Sequence, residues 1–490
     1  MDVATTLLSR RVRDCMAPPP PLLAPDASCS DVIDVMAASG VSCAIVRAAG
    51  GGCAGIVTEQ DVARRVALRM AAEAPAWDAM SSPVRTVRPD DYLYTAVAAM
   101  RRHGLRHLPA VDATGSPVGM LDLDAALAEA TAPTVAIIDR LTLGEDAGGL
   151  AEMKRAEAEI AGAMIADGAV CADIQALISH VNAEIHRRVA AAALRAMERD
   201  GLGRPPVAFA AIVMGSGGRG ESYLFPDQDN GFIIADYPDS EHDRIDGFFL
   251  GLADRMTAAL DAAGFPLCSG GVMATNPLWR KTLTQWREQT AIWARRRSPA
   301  AVRLADIFFD FQAVCGDDAL AAMLRRHVTG LMRGNIAFLQ EVMRDQARYG
   351  TALGLFGRLR RDRAPGPYRG QVDLKRGGTL ALVNAVRLLA LREGIAVTPT
   401  HARIAALRGT GVLDADDADE ISAAFRLMSM LVLRRQVEQA AAGARPGNHI
   451  PPSWLTRRER RGLLDALRVV DRLRDRVAGE LSGNVLTGGR

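Results

Sequence analysis

Two carboxylates two residues apart, Asp227 and Asp229, follow the glycine-rich stretch Gly215-Ser216-Gly217-Gly218-Arg219-Gly220 across the short spacer Glu221–Pro226. In an extended chain residues i and i+2 share a face, so both carboxylates point the same way. Two hard oxygen ligands so placed suit Mg²⁺, an ion that commonly takes one or two protein carboxylates and completes its shell with substrate phosphates and water. Gly215 and Gly217 let the backbone approach a triphosphate closely, and Ser216 adds a hydroxyl donor. Arg219 offers a forked guanidinium that matches phosphate oxygens. Asp227 and Asp229 are therefore the candidate catalytic and metal-binding residues, with Gly215, Ser216 and Arg219 the candidate nucleotide contacts.

The same stretch also spells G-x-G-x-x-G after an apolar run, with an acid, Asp236, about 20 residues on, the spacing of a dinucleotide-binding fingerprint. That fingerprint needs a crossover helix between parallel strands, inside a unit of about 30 residues. Only Glu221–Asn230 separates the glycines from the apolar run "GFIIA", and Pro226 falls within it. A segment so short, broken by proline, cannot make that crossover. The metal-and-phosphate reading has the better physical account.

These residues need a scaffold, and the rest of the chain supplies one. At 490 residues, 49% apolar and 24% charged, the sequence is long enough for several domains, each with its own core. A net charge of +2 gives no global attraction to nucleic acid or a membrane surface. No apolar run reaches the ~20 residues that span a bilayer, and the first residues lack a signal-peptide pattern. The seven cysteines are scattered without a CxxC pair, as expected of reduced thiols in a cytoplasmic protein.

An internal repeat organises the first quarter. Shifting the sequence by 64 residues lays 12–61 on 76–125 without a gap, matching Met16 with Met80, Gly40 with Gly104 and Gly55 with Gly119. Each copy reads as a helix, a short strand, a glycine-bearing turn, a second strand and a final helix, a unit that cannot bury its apolar face alone. Residues 150–200 lack proline and carry an apolar stripe through Ile174, Leu177, Ile178, Val181, Ile185 and Val189. His180 and His186 lie six apart, off a common helix face, and read as packing or surface residues. The last third is helical in pattern. Its terminal arginines are interleaved with Asp465, Asp471, Asp475 and Glu480, a solvated face and not a nucleic-acid stripe.

The repeat, with "GIVTEQD" in one copy and "RHLPAVD" in the other, resembles a tandem pair of CBS domains. That resemblance implies an AMP- or ATP-type ligand between the copies, phosphate held by Thr58 and ribose by Asp61, and a homodimer through the pair. The second copy has Asp122 and Ala125 at those places, so at most one good ligand site is expected. Thr58 and Asp61 equally suit the N-cap and first turn of a helix, where both stabilise without a ligand.

The spacing of Gly215-Ser216 to Asp227-x-Asp229 resembles the polymerase-β-type nucleotidyltransferase superfamily. With "MGSGGRGE", "CSGGVMATNPLWRKTLTQW" and "YRGQVDLKRGGTLALVNAVRLLAL", it is closer to the branch found in bacterial signalling proteins that carry CBS domains, related to PII uridylyltransferase and glutamine synthetase adenylyltransferase. The fold expected is multidomain α+β: a CBS pair over 1–130, a helical connector over 131–204, a nucleotidyltransferase-like α/β core over 205–318 and a helical, substrate-binding domain over 319–490. The resemblance implies ATP or UTP as nucleotide, Mg²⁺ as metal and a hydroxyl on a protein as acceptor, with no nucleic acid and no membrane. Within the last domain Lys375 and Arg376 either reach the active cleft or form local ion pairs.

The superfamily usually has a third carboxylate on a later strand. Phe265–Arg287 contains no Asp or Glu, and the nearest later candidates, Asp306 and Asp310, are the better read as structural. Two functions stay open: an Mg²⁺-dependent nucleotidyltransferase governed by an adenosine ligand, or a catalytically inactive nucleotide sensor.

Overall fold

The computed structural model describes residues 10–24, 26–48, 51–67, 69–127, 147–347, 350–354 and 357–482. The chain divides into two compact units, Met1–Thr142 and Leu143–Arg490. Pro25 of the repeat and the first part of the expected connector lie outside the described residues.

In the first unit the two copies repeat the same strand register and helix ends. The short strand β1 (Leu22–Leu23) runs parallel to β2 (Cys43–Arg47), which pairs antiparallel with β3 (Cys53–Thr58), Cys43 opposite Thr58, with an irregularity after Val46. Strands β4 (His107–Val111) and β5 (Pro117–Asp122) repeat that register 64 positions on, irregularity included. The helices α1 (Cys29–Ser39) and α2 (Leu93–His103) each end on a glycine, Gly40 and Gly104, at φ 63° and ψ 33°. That left-handed conformation closes a helix without the strain a side chain would bring.

The copies exchange their entry segments. Ala17 and Met120 trade backbone hydrogen bonds of 2.8 and 2.9 Å, and Ser81 and Ile56 do the same at 2.8 and 3.2 Å. Met16, at the start of one copy, lies over Gly119 of the other, and Met80 lies over Gly55. A Cβ on Gly55 would come within 2.0 Å of Met80 Sδ, and one on Gly119 within 2.5 Å of Met16 Sδ. Neither copy's sheet is complete alone.

The second unit is built on a four-stranded sheet in the order β8-β7-β6-β9. Its strands are β6 (Phe209–Val213), β7 (Asn230–Ile234), β8 (Arg280–Thr282) and β9 (Gln312–Gly316). β6 runs antiparallel to β7 and β9, whereas β8 joins β7 in parallel. The antiparallel β6–β7 pair disposes of the dinucleotide reading, which needs parallel strands there. Asp236 has a local duty as well, accepting from the Thr284 backbone N–H at 2.9 Å and its hydroxyl at 2.8 Å.

Helices α3 (Ala147–Ala166) and α4 (Cys171–Arg199) are integral parts of this unit. Between them lies a buried polar knot, with Lys154 Nζ 2.7 Å from both Glu157 Oε2 and Asn182 Oδ1. His186 is buried beside it, its Nδ1 2.7 Å from the Asn182 carbonyl, the packing role its spacing suggests.

The helical part of the unit centres on α5 (Leu380–Glu393), which is buried on nearly every side, as its near-continuous apolar run requires. α6 (Thr400–Gly409), α7 (Ala415–Ala441) and α8 (Arg457–Leu481) surround it or extend the bundle. Among the described residues no helix is long and apolar enough to cross a membrane.

The exchanged methionines give a first test. Gly55→Ala and Gly119→Ala each force a methionine off its strand, and each is expected to cost the first unit about 1–3 kcal/mol by overpacking. Denaturant unfolding monitored on that unit reads the loss. Two neutral substitutions would remove the exchange as a source of stability.

Candidate functional site

The glycine-rich stretch folds as a single tight turn, Gly215–Arg219, between β6 and the aspartate segment. It opens on Gly215 at φ 62° and closes on Gly220 at φ 69°, both left-handed positions that favour glycine. Gly218 has a different reason: a Cβ there would fall 2.0 Å from the Asp310 carbonyl oxygen. The Ser216 side chain is half-buried, and among the described residues its hydroxyl has no hydrogen-bond partner.

The aspartates sit where β7 begins. Gln228 between them is fully buried, its Nε2 donating to the carbonyls of Thr257 at 3.1 Å and Phe265 at 2.9 Å. With that amide anchored in the core, the backbone turns about Gln228, the Asp229 N–H donating to the Asp227 carbonyl at 3.1 Å. Asp227 is exposed and Asp229 half-buried. The Met214 N–H donates to the Asp229 carbonyl at 2.9 Å, which holds the segment against the turn. Asp229 Oδ2 lies 3.6 Å from the point a Cβ on Gly215 would occupy, so carboxylate and turn face each other.

Burial pushes the Asp229 carboxyl above its ordinary range, and Asp227 adds to the rise. A hydrogen bond with Cys268 and the charge of Lys375 pull it back. Lys375 stands in the same field: burial and Arg219 lower its ammonium, whereas Asp227, Asp229 and Asp373 raise it. The structure thus brings Lys375, from the π-helical turn Lys375–Thr379, to the aspartates. Its neighbour Arg376 has its backbone N–H on Asp373 Oδ1 at 3.0 Å, and its exposed side chain lines a separate cleft described below.

Arg219 does not face the turn's open side. It is 7% exposed, its Nε 2.8 Å from Glu221 Oε2 and its Nη1 2.8 Å from Asp310 Oδ2. The forked contact expected for phosphate is made with two carboxylates of the protein.

Asp310, fully buried, is the centre of a larger cluster. Arg387 Nη1 lies 2.7 Å from its Oδ2, and Arg403 Nη2 lies 2.7 Å from its Oδ1 but out of line for a directed hydrogen bond. Arg387 also pairs with Asp306, and Glu221 accepts from the Thr400 hydroxyl at 2.9 Å and from its backbone N–H. Three guanidiniums thus meet three carboxylates. Burial alone would raise the Asp310 carboxyl, but Arg403, Arg387 and Arg219 override it and hold the group well below the usual range. Asp306 and Asp310 are structural, as their spacing suggests. The sequence pattern gave no signal that three distant arginines would converge on one of them.

Mg²⁺ can be tested against these residues. Among the described residues no group of three or more His, Cys, Asp and Glu could hold a metal ion by itself. Two carboxylates facing a glycine turn fit an ion that arrives with a nucleotide and takes its remaining ligands from phosphate and water.

In the first unit Thr58 and Asp61 face each other. Thr58 Oγ1 accepts from the Asp61 N–H at 3.2 Å and donates to Asp61 Oδ2 at 2.7 Å, and the Thr58 N–H donates to the same carboxylate at 3.0 Å. This reciprocal capping box accounts for both residues without a ligand. In the second copy Asp122 caps in its turn, accepting from the Ala125 N–H at 3.0 Å.

A glycine turn facing paired carboxylates, a helical domain clamped to that turn and a duplicated β-α unit define a nucleotidyltransferase-like core with a CBS pair. Family models agree: residues 12–68 and 76–130 match the CBS domain, 155–300 "Putative nucleotidyltransferase DUF294" and 336–481 "Putative nucleotidyltransferase substrate binding domain". The chain belongs to the CBS-domain-containing family of putative nucleotidyltransferases. No curated protein matches it. Among solved structures, a CBS domain protein from Pyrobaculum aerophilum complexed with AMP is 28% identical, with 26% of this chain and 98% of that chain covered and a TM-score of 0.24. The CBS domain of a CBS-domain-containing membrane protein from Sphaerobacter thermophilus is 24% identical, with 26% and 93% covered and a TM-score of 0.23.

Removing the centre of the cluster tests its weight. Asp310→Ala leaves three buried guanidiniums without their shared anion, and a loss of about 3–5 kcal/mol is expected in denaturant unfolding of the second unit. A loss below about 1 kcal/mol, the scale of an exposed pair, would show that the arginines find other partners.

Proposed function

We propose that the chain transfers a nucleoside monophosphate from ATP or UTP to a hydroxyl, with a protein as the acceptor the resemblance implies. Asp227 and Asp229 hold Mg²⁺ together with the triphosphate, and Gly215 and Ser216 carry the phosphates. Lys375 takes the cationic part first assigned to Arg219, whose guanidinium is committed elsewhere. The observation that supports this reading is the Asp229 carboxylate, electrostatically coupled to Asp227, facing the glycine turn, where among the described residues the Ser216 hydroxyl has no hydrogen-bond partner.

In the reaction the acceptor oxygen bonds to the α-phosphorus and the bridging α–β P–O bond breaks. Pyrophosphate leaves and the hydroxyl proton passes to water. When bound, Mg²⁺ supplies positive charge to the phosphate oxygens as negative charge builds on them. The turn positions the phosphates, Gln228 fixes the direction of both carboxylates, and Lys375 sets a further positive charge beside them. Residues 1–130 are proposed as an adenosine-ligand sensor that sets the active population and forms a homodimer. Residues 205–318 are the transfer core and 319–490 the acceptor-binding domain.

The absence of a third acidic ligand among the described residues favours a second reading, a nucleotide sensor that binds without turnover. Transfer of label from ATP or UTP, with pyrophosphate release, separates the two. Wild type is expected to exceed Asp227→Ala/Asp229→Ala by a factor on the order of 10² or more, the loss seen when electrostatic stabilisation is removed from a transition state. Nucleotide binding with no release above the double variant would establish the sensor. The sign of the pH dependence follows from Asp229. Its carboxyl is raised in the folded chain, so it takes up its proton, and loses metal binding, at a pH above the ordinary aspartate range as the solution is acidified. Activity that survives acidification down to the ordinary range would place Asp229 outside the site.

For the CBS pair, AMP at 100 times its dissociation constant is expected to stabilise the first unit by about 2.7 kcal/mol. Asp61→Ala also breaks the capping box, at about 1 kcal/mol, so the AMP-dependent increment is the quantity to compare. An equal increment in wild type and variant would reduce Asp61 to a cap.

A further inference from the structure

The segment that follows the helical domain's first turns opens into a cleft of about 1310 Å³. Arg358, Arg360, Arg361, Arg363 and Arg369 line it, with Arg376 at one end. Among the described residues none of the first five guanidiniums has an ion pair or a side-chain hydrogen bond. Arginines nearby in the helical bundle behave differently: Arg387, Arg392, Arg434 and Arg476 each reach a carboxylate. Five guanidiniums against two lining carboxylates, Asp362 and Asp373, leave the cleft with an excess of positive charge, a repulsion that a bound anion would lift.

The cleft and the aspartate centre are separate but share one segment of backbone. Asp373, Arg376 and Gly377 line it, while Lys375, between them, is coupled to Asp227 and Asp229. A ligand lying in the cleft therefore passes the segment that carries Lys375.

Size and chemistry narrow the ligand. The volume exceeds the roughly 300–1,000 Å³ usual for small-molecule pockets, which favours a segment of a larger chain. Single-stranded nucleic acid would need aromatic faces for its bases. Among the described residues the aromatic ring of the lining segment is Tyr368, already stacked on His449 with centroids 4.0 Å apart and planes 11° apart. Asp362 and Asp373 both lie 4.0 Å from His449 Nε2 and face the same space, where they would repel an unbroken phosphate backbone. A polypeptide with separated carboxylates can avoid them, and the guanidinium fork matches each carboxylate.

We propose that this arginine-lined cleft binds an acidic segment of a protein acceptor and leads its hydroxyl to Asp227 and Asp229. The inference rests on the transferase reading for its purpose, but the binding can be tested without turnover. A fluorescein-labelled oligoglutamate, the matching oligoglutamine and a single-stranded RNA of similar length are titrated against the full chain by anisotropy. Oligoglutamate is expected to bind and oligoglutamine not. Arg361→Ala/Arg363→Ala, both exposed side chains, should weaken oligoglutamate binding about tenfold or more, and the lysine double variant should recover part of it. Asp227→Ala/Asp229→Ala should leave oligoglutamate binding in place while removing Mg-nucleotide binding, so failure of the cleft and failure of the transfer site are read separately. Equal binding by wild type and the arginine variant overturns the proposal. RNA binding more tightly than oligoglutamate overturns it in favour of a nucleic-acid partner.

Discussion

One carboxylate with no exposed surface, Asp310, governs how the catalytic-type turn meets the helical domain. Its three arginines come from three places in the chain: Arg219 closes the glycine turn, Arg387 lies in the core helix and Arg403 opens toward the next. Arg325 grips the carbonyls on either side of it, Phe309 and Phe311, each at 2.5 Å. Gly218 packs on the carbonyl of Asp310 itself. A charged cluster this deep is not a cheap source of stability, because desolvation offsets much of the Coulombic gain. What it provides is position: the three guanidiniums meet on Asp310 only when the turn and both helices are in place together.

The first unit uses a different constraint toward the same end. Its duplicated halves are tied by exchanged backbone pairs and by methionines that occupy the space above each other's glycines. The sequence repeat announces two similar units, yet the exchange makes them a single object. It also explains why the 64-residue register extends through the entry segments, which lie outside the strands but are needed by the partner copy.

The site was legible in the sequence where local geometry decides it. The proline-bearing spacer forbids a crossover helix, and the chain answers with an antiparallel return. The D-x-D spacing leaves Gln228 between the carboxylates as a core anchor, with Asp229 facing the glycine turn. The roles that were misjudged depend on distant residues. Arg219 has the right type and place for phosphate, but its anion stands 91 positions away, and nothing in a local pattern ranks one anion over another. Thr58 and Asp61 show the same ambiguity in reverse, since a capping box and a ribose-phosphate contact draw on the same side chains. From its own residues Lys375 was legible as a polar group beside two glycines, and only the family resemblance offered it a place at the active cleft. Its coupling to the aspartates comes from the folding of a helix more than a hundred positions further along.

That coupling bears on how few acids the site contains. Asp229 is half-buried, and its carboxyl is already raised by burial and by Asp227. A third carboxylate would add repulsion to a group whose charged form is disfavoured, and would need a tightly held cation to offset it. Lys375 supplies part of that offset from the protein itself. The charge of the unliganded pair is then tolerable, but the drive to capture a free divalent ion is correspondingly weaker. On the proposed reading an ion that brings a triphosphate would meet a different situation, with the turn offering Ser216 and open backbone to the phosphates and the aspartates offered to the metal. Metal and nucleotide would then bind as one ligand, each completing the site for the other.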